Sequence, residues 1–223
     1  MNFWRGITAI LRKDVLTELR SKETVSTLSV FALLVVVIFN FAFELRVENA
    51  HQIAPGVLWV ALAFAGVLAF NRSFLLEREG GCMEGLRLMP MERSVIYVGK
   101  LLANILFMLL AEAIILPIFA ALFDVPILNA ALWMVIVLGT IGFAAAGTLF
   151  AAMAVNTRAR EVMLPILLFP IAVPVLIAST KSTAQILDGQ PLFEIYAWIR
   201  LLLAFDVIFI VLALLSFEHV LEE

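Results

Sequence analysis

Glu112 stands alone inside a long apolar stretch, and Asp206 shares another with Arg200. A carboxylate near the centre of a bilayer costs at least ~2.5–3.5 kcal/mol on insertion scales. Such a group is expected to face a bundle interior, as a contact to substrate, a step in a proton relay, or an interhelical hydrogen-bond partner. The last is the plainer reading, because two carboxylates are too few for a connected relay. A second set of residues is the charged run Glu77-Arg78-Glu79-Gly80-Gly81-Cys82-Met83-Glu84-Gly85-Leu86-Arg87-Leu88-Met89-Pro90. Apolar Met83, Leu86 and Met89 lie three apart, which suits a short amphipathic helix after the glycines, ended by Pro90. It reads either as a solvated, salt-bridged loop or as a coupling element that seats on a cytoplasmic partner, with Glu79, Glu84, Leu86, Arg87 and Pro90 as the contacts. A third set is Pro165, Pro170 and Pro174, which lack amide donors and are expected to bend a helix as gating prolines.

Enzyme chemistry is missing. There is no GxxxxGK[ST] phosphate loop, no HExxH and no CxxC, so neither ATP hydrolysis nor a zinc site is expected of this chain. His51 and His219 fall on opposite sides of the membrane in the topology derived below and cannot share a metal. Cys82 is the single cysteine and has no partner within the chain; it reads as a reduced cytoplasmic thiol.

The elements that must position these residues follow from composition. Of 223 residues, 64% are hydrophobic and 15% charged, and mean hydropathy is +1.08. Soluble domains hold roughly 45–50% apolar and about 25% charged residues. Water is therefore excluded as the main solvent, and with it a nucleic-acid binder, a disordered scaffold and a secreted disulfide framework. The net charge of −3 supplies no basic field for nucleic acid.

The fold class is an all-α integral membrane protein, read as one transmembrane domain over residues 1–223. A spanning helix needs about 20 apolar residues. Six segments qualify: 25–43, 53–74, 101–123, 129–157, 162–180 and 195–217. Residues 2–22 precede them as an amphipathic helix, with Phe3, Trp4, Ile7, Ile10, Leu11, Val15 and Leu19 at helical spacing and Arg5, Arg12, Lys13 and Arg20 largely between. This is an interfacial helix on the cytoplasmic side, either a topological anchor or an elbow into the first span. The first span reads as a retained anchor, since no small-residue cleavage site follows it. Segments on one side of a six-span chain hold 12 of the 15 Lys and Arg residues, which puts both termini in the cytoplasm. Residues 77–94 form the cytoplasmic loop between spans two and three. Gly139, Gly142, Gly147 and the alanines after Gly142 predict a tight helix interface in span four, within the protomer or with a second copy.

An interfacial helix, six spans and a charged loop after span two resemble the membrane subunit of an ABC-2-type transporter. The finer pattern resembles the cytochrome c maturation protein B family, also called haem exporter protein B. It consists of Ile53-Ala54-Pro55-Gly56 with Trp59, then Arg72 and Phe74, then Glu84, Leu86, Leu88 and Pro90, then Lys100, with Leu164 and the proline series beyond. The segment Ile53–Trp59 lies toward the periplasmic face in this topology. Glu112 and Asp206 match no position of that pattern.

The resemblance implies a permease-like subunit in the bacterial inner membrane, not itself an enzyme. Its implied partners are a cytoplasmic ABC ATPase that holds the ATP, a haem-handling membrane protein, a small membrane subunit, a periplasmic haem chaperone and a second copy of the chain. No cofactor is expected on this chain; haem is the implied cargo of the complex. The implied work is to couple ATP hydrolysis by the partner to haem delivery and release of the loaded chaperone. Two other readings stand beside it: an ABC-2-type exporter subunit for another lipid or small molecule, and an assembly factor that only positions haem-handling proteins.

Overall fold

The computed structural model describes residues 3–44, 50–79, 93–126, 128–155, 157 and 159–220. Among them there are seven α-helices and no strand: α1 (Phe3–Ser21), α2 (Glu23–Glu44), α3 (Ala50–Glu79), α4 (Arg93–Phe123), α5 (Ala130–Ala154), α6 (Arg160–Leu187) and α7 (Leu192–Val220). The six from α2 to α7 are long and apolar enough to cross a membrane. Helices of this kind satisfy every backbone group internally, which a lipid solvent demands. The chain is thus a multi-pass membrane protein, with α1 lying outside the spans.

The helices outrun the apolar stretches that announce them. α4 begins at Arg93, not near Leu101, because the charge of Lys100 is matched by buried carboxylates and does not stop the helix. α6 continues past Thr180 to Leu187, since Ser182 and Thr183 turn inward, where Thr183 accepts the indole N–H of Trp59 at 3.0 Å. It also runs unbroken through Pro165, Pro170 and Pro174; Pro165 is half-buried, and the other two lie on its exposed side.

α5 is the axis of the bundle. It packs on α3, α4, α6 and α7, and its glycines mark the closest approaches. Gly139 sits against Trp59 of α3 and Ser179 of α6. Gly142 faces Asp206 and Phe205 of α7, and Gly147 lies under the ring of Phe70 of α3. Lipid offers no hydrophobic drive between helices, so small residues that admit a neighbour's side chain set the packing. The small-residue interface expected in span four therefore forms within the protomer.

Polar pairs stitch the same axis to α4. Tyr97 donates to the Ala145 carbonyl at 3.0 Å, Asn104 to Thr148 at 3.0 Å, and Thr140 to Glu112 at 2.7 Å.

A side chain at Gly147 would intrude on Phe70. Gly147→Val is expected to cost about 1–3 kcal/mol by overpacking, with partial recovery when Phe70→Ala is added. Gly56, where a Cβ meets nothing within 4 Å, tolerates alanine within about 0.5 kcal/mol. Thermal unfolding in detergent checks the set; equal midpoints for Gly147→Val and Gly56→Ala would contradict this packing.

Candidate functional site

At one end of the bundle α1 turns sharply into α2. Lys22, the one residue between them, takes a left-handed conformation (φ 54°), and its N–H bonds to the Glu18 carbonyl at 2.6 Å. The Glu18 carboxylate folds over the start of α2, accepting from the amides of Thr24 at 3.2 Å and Val25 at 2.8 Å. It thereby fills two of the amides a helix start leaves unpaired and sits at the positive end of the helix dipole. Arg72 of α3 ion-pairs with Glu23 in the first turn of the same helix.

α1 then lies back across the bundle. Ile7 and Ile10 are buried, and Ile10 fits against Gly99 of α4, where a Cβ would come within 2.8 Å of it. Trp4, 74% exposed, and Leu19 stay outside beside exposed Arg5, Arg12 and Arg20. One face is therefore docked on α4, and the rest is the mixed apolar and basic surface of an interfacial helix.

Under α1 four charges meet. Lys100 of α4 directs its ammonium to Glu77 of α3 at 2.6 Å, to Asp14 of α1 at 3.0 Å and to the Ser73 carbonyl at 3.0 Å. Those three acceptors use its three N–H donors. Lys13 of α1 closes the ring, pairing with Glu77 and with Asp14, the latter at 3.2 Å. Phe74 lies beneath Lys100, its ring centre 5.8 Å from the ammonium. The side chains of Lys100 and Glu77 are only 3% and 5% exposed. Burial pushes the Glu77 carboxyl up, but Lys100 and then Lys13 outweigh it and hold it below the usual 4.5. Burial likewise opposes the charge on Lys13, yet its hydrogen bond to Glu77 and the charges of Asp14 and Glu77 carry its ammonium above the usual 10.5. A cavity of about 260 Å³ opens beside this ring, between α1 and the adjoining ends of α2, α3 and α4.

The other residues singled out in the sequence fall elsewhere. Ile53, Ala54, Pro55 and Gly56 occupy the opening turns of α3; Ala54 and Pro55 are buried. Trp59 is buried against α5 and α6. Glu112 and Asp206 both reach α5, the first bonded to Thr140 and the second against Gly142. Glu112 Oε2 and Asp206 Oδ1 find no partner among the described residues. Glu79 ends α3; Cys82, Glu84, Leu86, Arg87, Leu88 and Pro90 lie outside the described residues. Among the described residues no group of three His, Cys, Asp or Glu side chains is placed to hold a metal ion.

The ring itself is not apparent from spacing alone. Lys13 and Lys100 read as topological charges, and Glu77 as part of a solvated loop. The usable signal is the stripe Phe70, Ser73, Phe74, Glu77, which carries the buried face of α3 one turn past its apolar stretch, matched on α4 by Tyr97, Lys100, Asn104 and Phe107.

Removing one partner of a buried pair leaves the other uncompensated. Lys100→Met is expected to lower stability by roughly 3–5 kcal/mol at neutral pH. Because the folded Glu77 carboxyl titrates below 4.5, its contribution is present above that pH and is lost as pH falls through its folded value. The contribution of Lys13 is present below 10.5 and is lost as pH rises through its own raised value. The gap between wild type and Lys100→Met should therefore narrow in acid, where Glu77 is neutral. Unfolding midpoints in detergent from pH 7 down to about 3 read this; a constant gap would contradict the assignment.

Comparison with known proteins agrees with this architecture. The profile of the family described as CcmB protein matches residues 5–223. Heme exporter protein B of Rhodobacter capsulatus is 30% identical over 183 residues, covering 81% of this chain and 84% of its own. The proteins of that name from Paracoccus denitrificans and Pseudomonas aeruginosa are 30% and 29% identical, over 79% and 78% of this chain and 82% and 79% of theirs. A match across nearly the whole length, on a bundle of six spanning helices behind an amphipathic first helix, places the chain in the CcmB protein family.

Proposed function

We propose that this chain is the permease-like membrane subunit of an ABC complex for cytochrome c maturation. It passes movement driven by a partner's ATP hydrolysis to haem delivery and to release of the haem-loaded periplasmic chaperone. Relatives named heme exporter protein B support the haem-export part of this reading.

One observation carries the coupling: the buried ring of Lys13, Asp14, Glu77 and Lys100 stands at the root of residues 80–92. Glu77 sits three residues before that segment, and α4, which carries Lys100, begins as the segment ends. Any force applied there reaches α1, α3 and α4 together, since an ion ring in low dielectric resists being pulled open. Through α3 the movement reaches Trp59 and thence α5 and α6.

In this reading the ring marks the cytoplasmic end. Lys13, Arg72 and Lys100, all in the positive majority, gather at that end, as the positive-inside rule asks of a cytoplasmic face. The setting is the bacterial inner membrane, both termini are inside, and ATP sits on a separate ATPase. A haem-handling membrane protein, a small membrane subunit, the periplasmic chaperone and a second copy complete the assembly.

The test is Glu84→Ala with Arg87→Ala in the assembled complex. ATP turnover by the partner should persist while haem-stained c-type cytochromes fall at least about fivefold, the low end of ordinary coupling free energies. Unchanged cytochromes with unchanged turnover would remove the segment from the coupling path.

A further inference from the structure

We propose that the cavity under α1 binds the phosphoethanolamine headgroup of a membrane phospholipid, ammonium inward and phosphate at Lys13.

The cavity has the right depth. Its walls come from α1, from Thr24 at the start of one span, from Ser73 near the end of a second and from Lys100 and Asn104 in the early turns of a third. That is the level of lipid headgroups, where amphipathic helices such as α1 lie. Its volume of about 260 Å³ far exceeds the roughly 10–15 Å³ that one water needs.

The donors and acceptors give it a direction. Lys100 has no N–H to spare, since Glu77, Asp14 and Ser73 take all three. Lys13 spends two on Glu77 and Asp14, and its side chain is 42% exposed, so one donor remains at the mouth. Deeper, Asn104 is 1% exposed and gives its amide N–H to Thr148, while its carbonyl oxygen has no partner among the described residues. Three carboxylates, Asp14, Glu18 and Glu77, line the cavity against two ammonium groups. The lining thus holds one more carboxylate than ammonium, with an unfilled acceptor at Asn104 and a spare donor at exposed Lys13.

A zwitterion with its cation inward fits that polarity. A primary ammonium brings three N–H donors to Asn104 and the carboxylates. A trimethylammonium brings none, and a glycerol headgroup brings hydroxyls but keeps the lipid anionic against a negative wall. Phe107 and Ala69 supply the apolar side for the connecting carbons.

The experiment is native mass spectrometry of the full chain in detergent, titrated with phosphatidylethanolamine, phosphatidylcholine and phosphatidylglycerol of identical acyl chains. Retention of the ethanolamine lipid should exceed that of the choline lipid by roughly tenfold, about one hydrogen bond to a charged group. Asn104→Leu, which removes the acceptor, and Ala69→Leu, which fills the space, should each erase the preference, with unfolding midpoints verifying that both fold. Competition by soluble phosphoethanolamine separates the sources: displacement only at large excess supports the lipid, and displacement at parity supports the free headgroup as a ligand of the same chemistry. Equal retention of the three lipids would overturn the site, as would a preference that survives both substitutions.

Discussion

An ammonium and a carboxylate removed from water inside an apolar bundle must answer each other, and Lys100 and Glu77 do so at 2.6 Å. Most of the arrangement at that end depends on this requirement. α3 stays helical past its apolar stretch to carry Glu77, and α4 starts eight residues before Leu101, at Arg93, so that Lys100 rides on its second turn. α1 folds back instead of drifting into the interface because Asp14 and Lys13 complete the ring and Ile10 seats on Gly99. Exposed ion pairs contribute little, but a buried ring from which one member is taken leaves a bare charge in low dielectric. The ring therefore favours a single geometry of three helix ends more than it adds net stability.

The axis of the bundle is governed by contact distance. Gly139, Gly142 and Gly147 let Trp59, Asp206 and Phe70 come up against the backbone of α5. The two devices are connected through α3, which bears Glu77 at one end and Trp59 near the other. In the proposed mechanism a displacement at the charged end would pass along α3, whose Phe70 and Trp59 pack on α5. Coupling of that kind requires an element with two arrangements that both ends bias.

Apolar length and helical period made much of this legible in the sequence. All six spans were readable, as were the amphipathic first helix, the inward placement of Glu112 and Asp206, and a tight interface at the glycines. Helix ends were less so, because hydropathy stops at a charge whereas a helix runs on to its caps and turns. For the same reason the ring is not legible in the sequence: Lys13, Glu77 and Lys100 count as loop or surface charges until the folded chain sets them side by side. Nothing along the chain says that residue 14 meets residue 100. Of the residues on which the family resemblance rests, Arg72, Phe74 and Lys100 gather at this end, while Trp59 and Leu164 are buried packing positions.

In the proposed function the ring transmits movement and does not merely hold helices together. Replacing both members of the buried pair with neutral side chains separates the two roles, since losing a whole pair costs far less stability than orphaning one partner. The measurement is ATP turnover and c-type cytochrome content in membranes carrying Glu77→Gln together with Lys100→Met. A transmitting ring leaves a folded, inserted subunit and continuing ATP hydrolysis, with covalent cytochromes reduced at least about fivefold. Wild-type cytochrome levels in that double variant would contradict it and reduce the ring to a structural clasp.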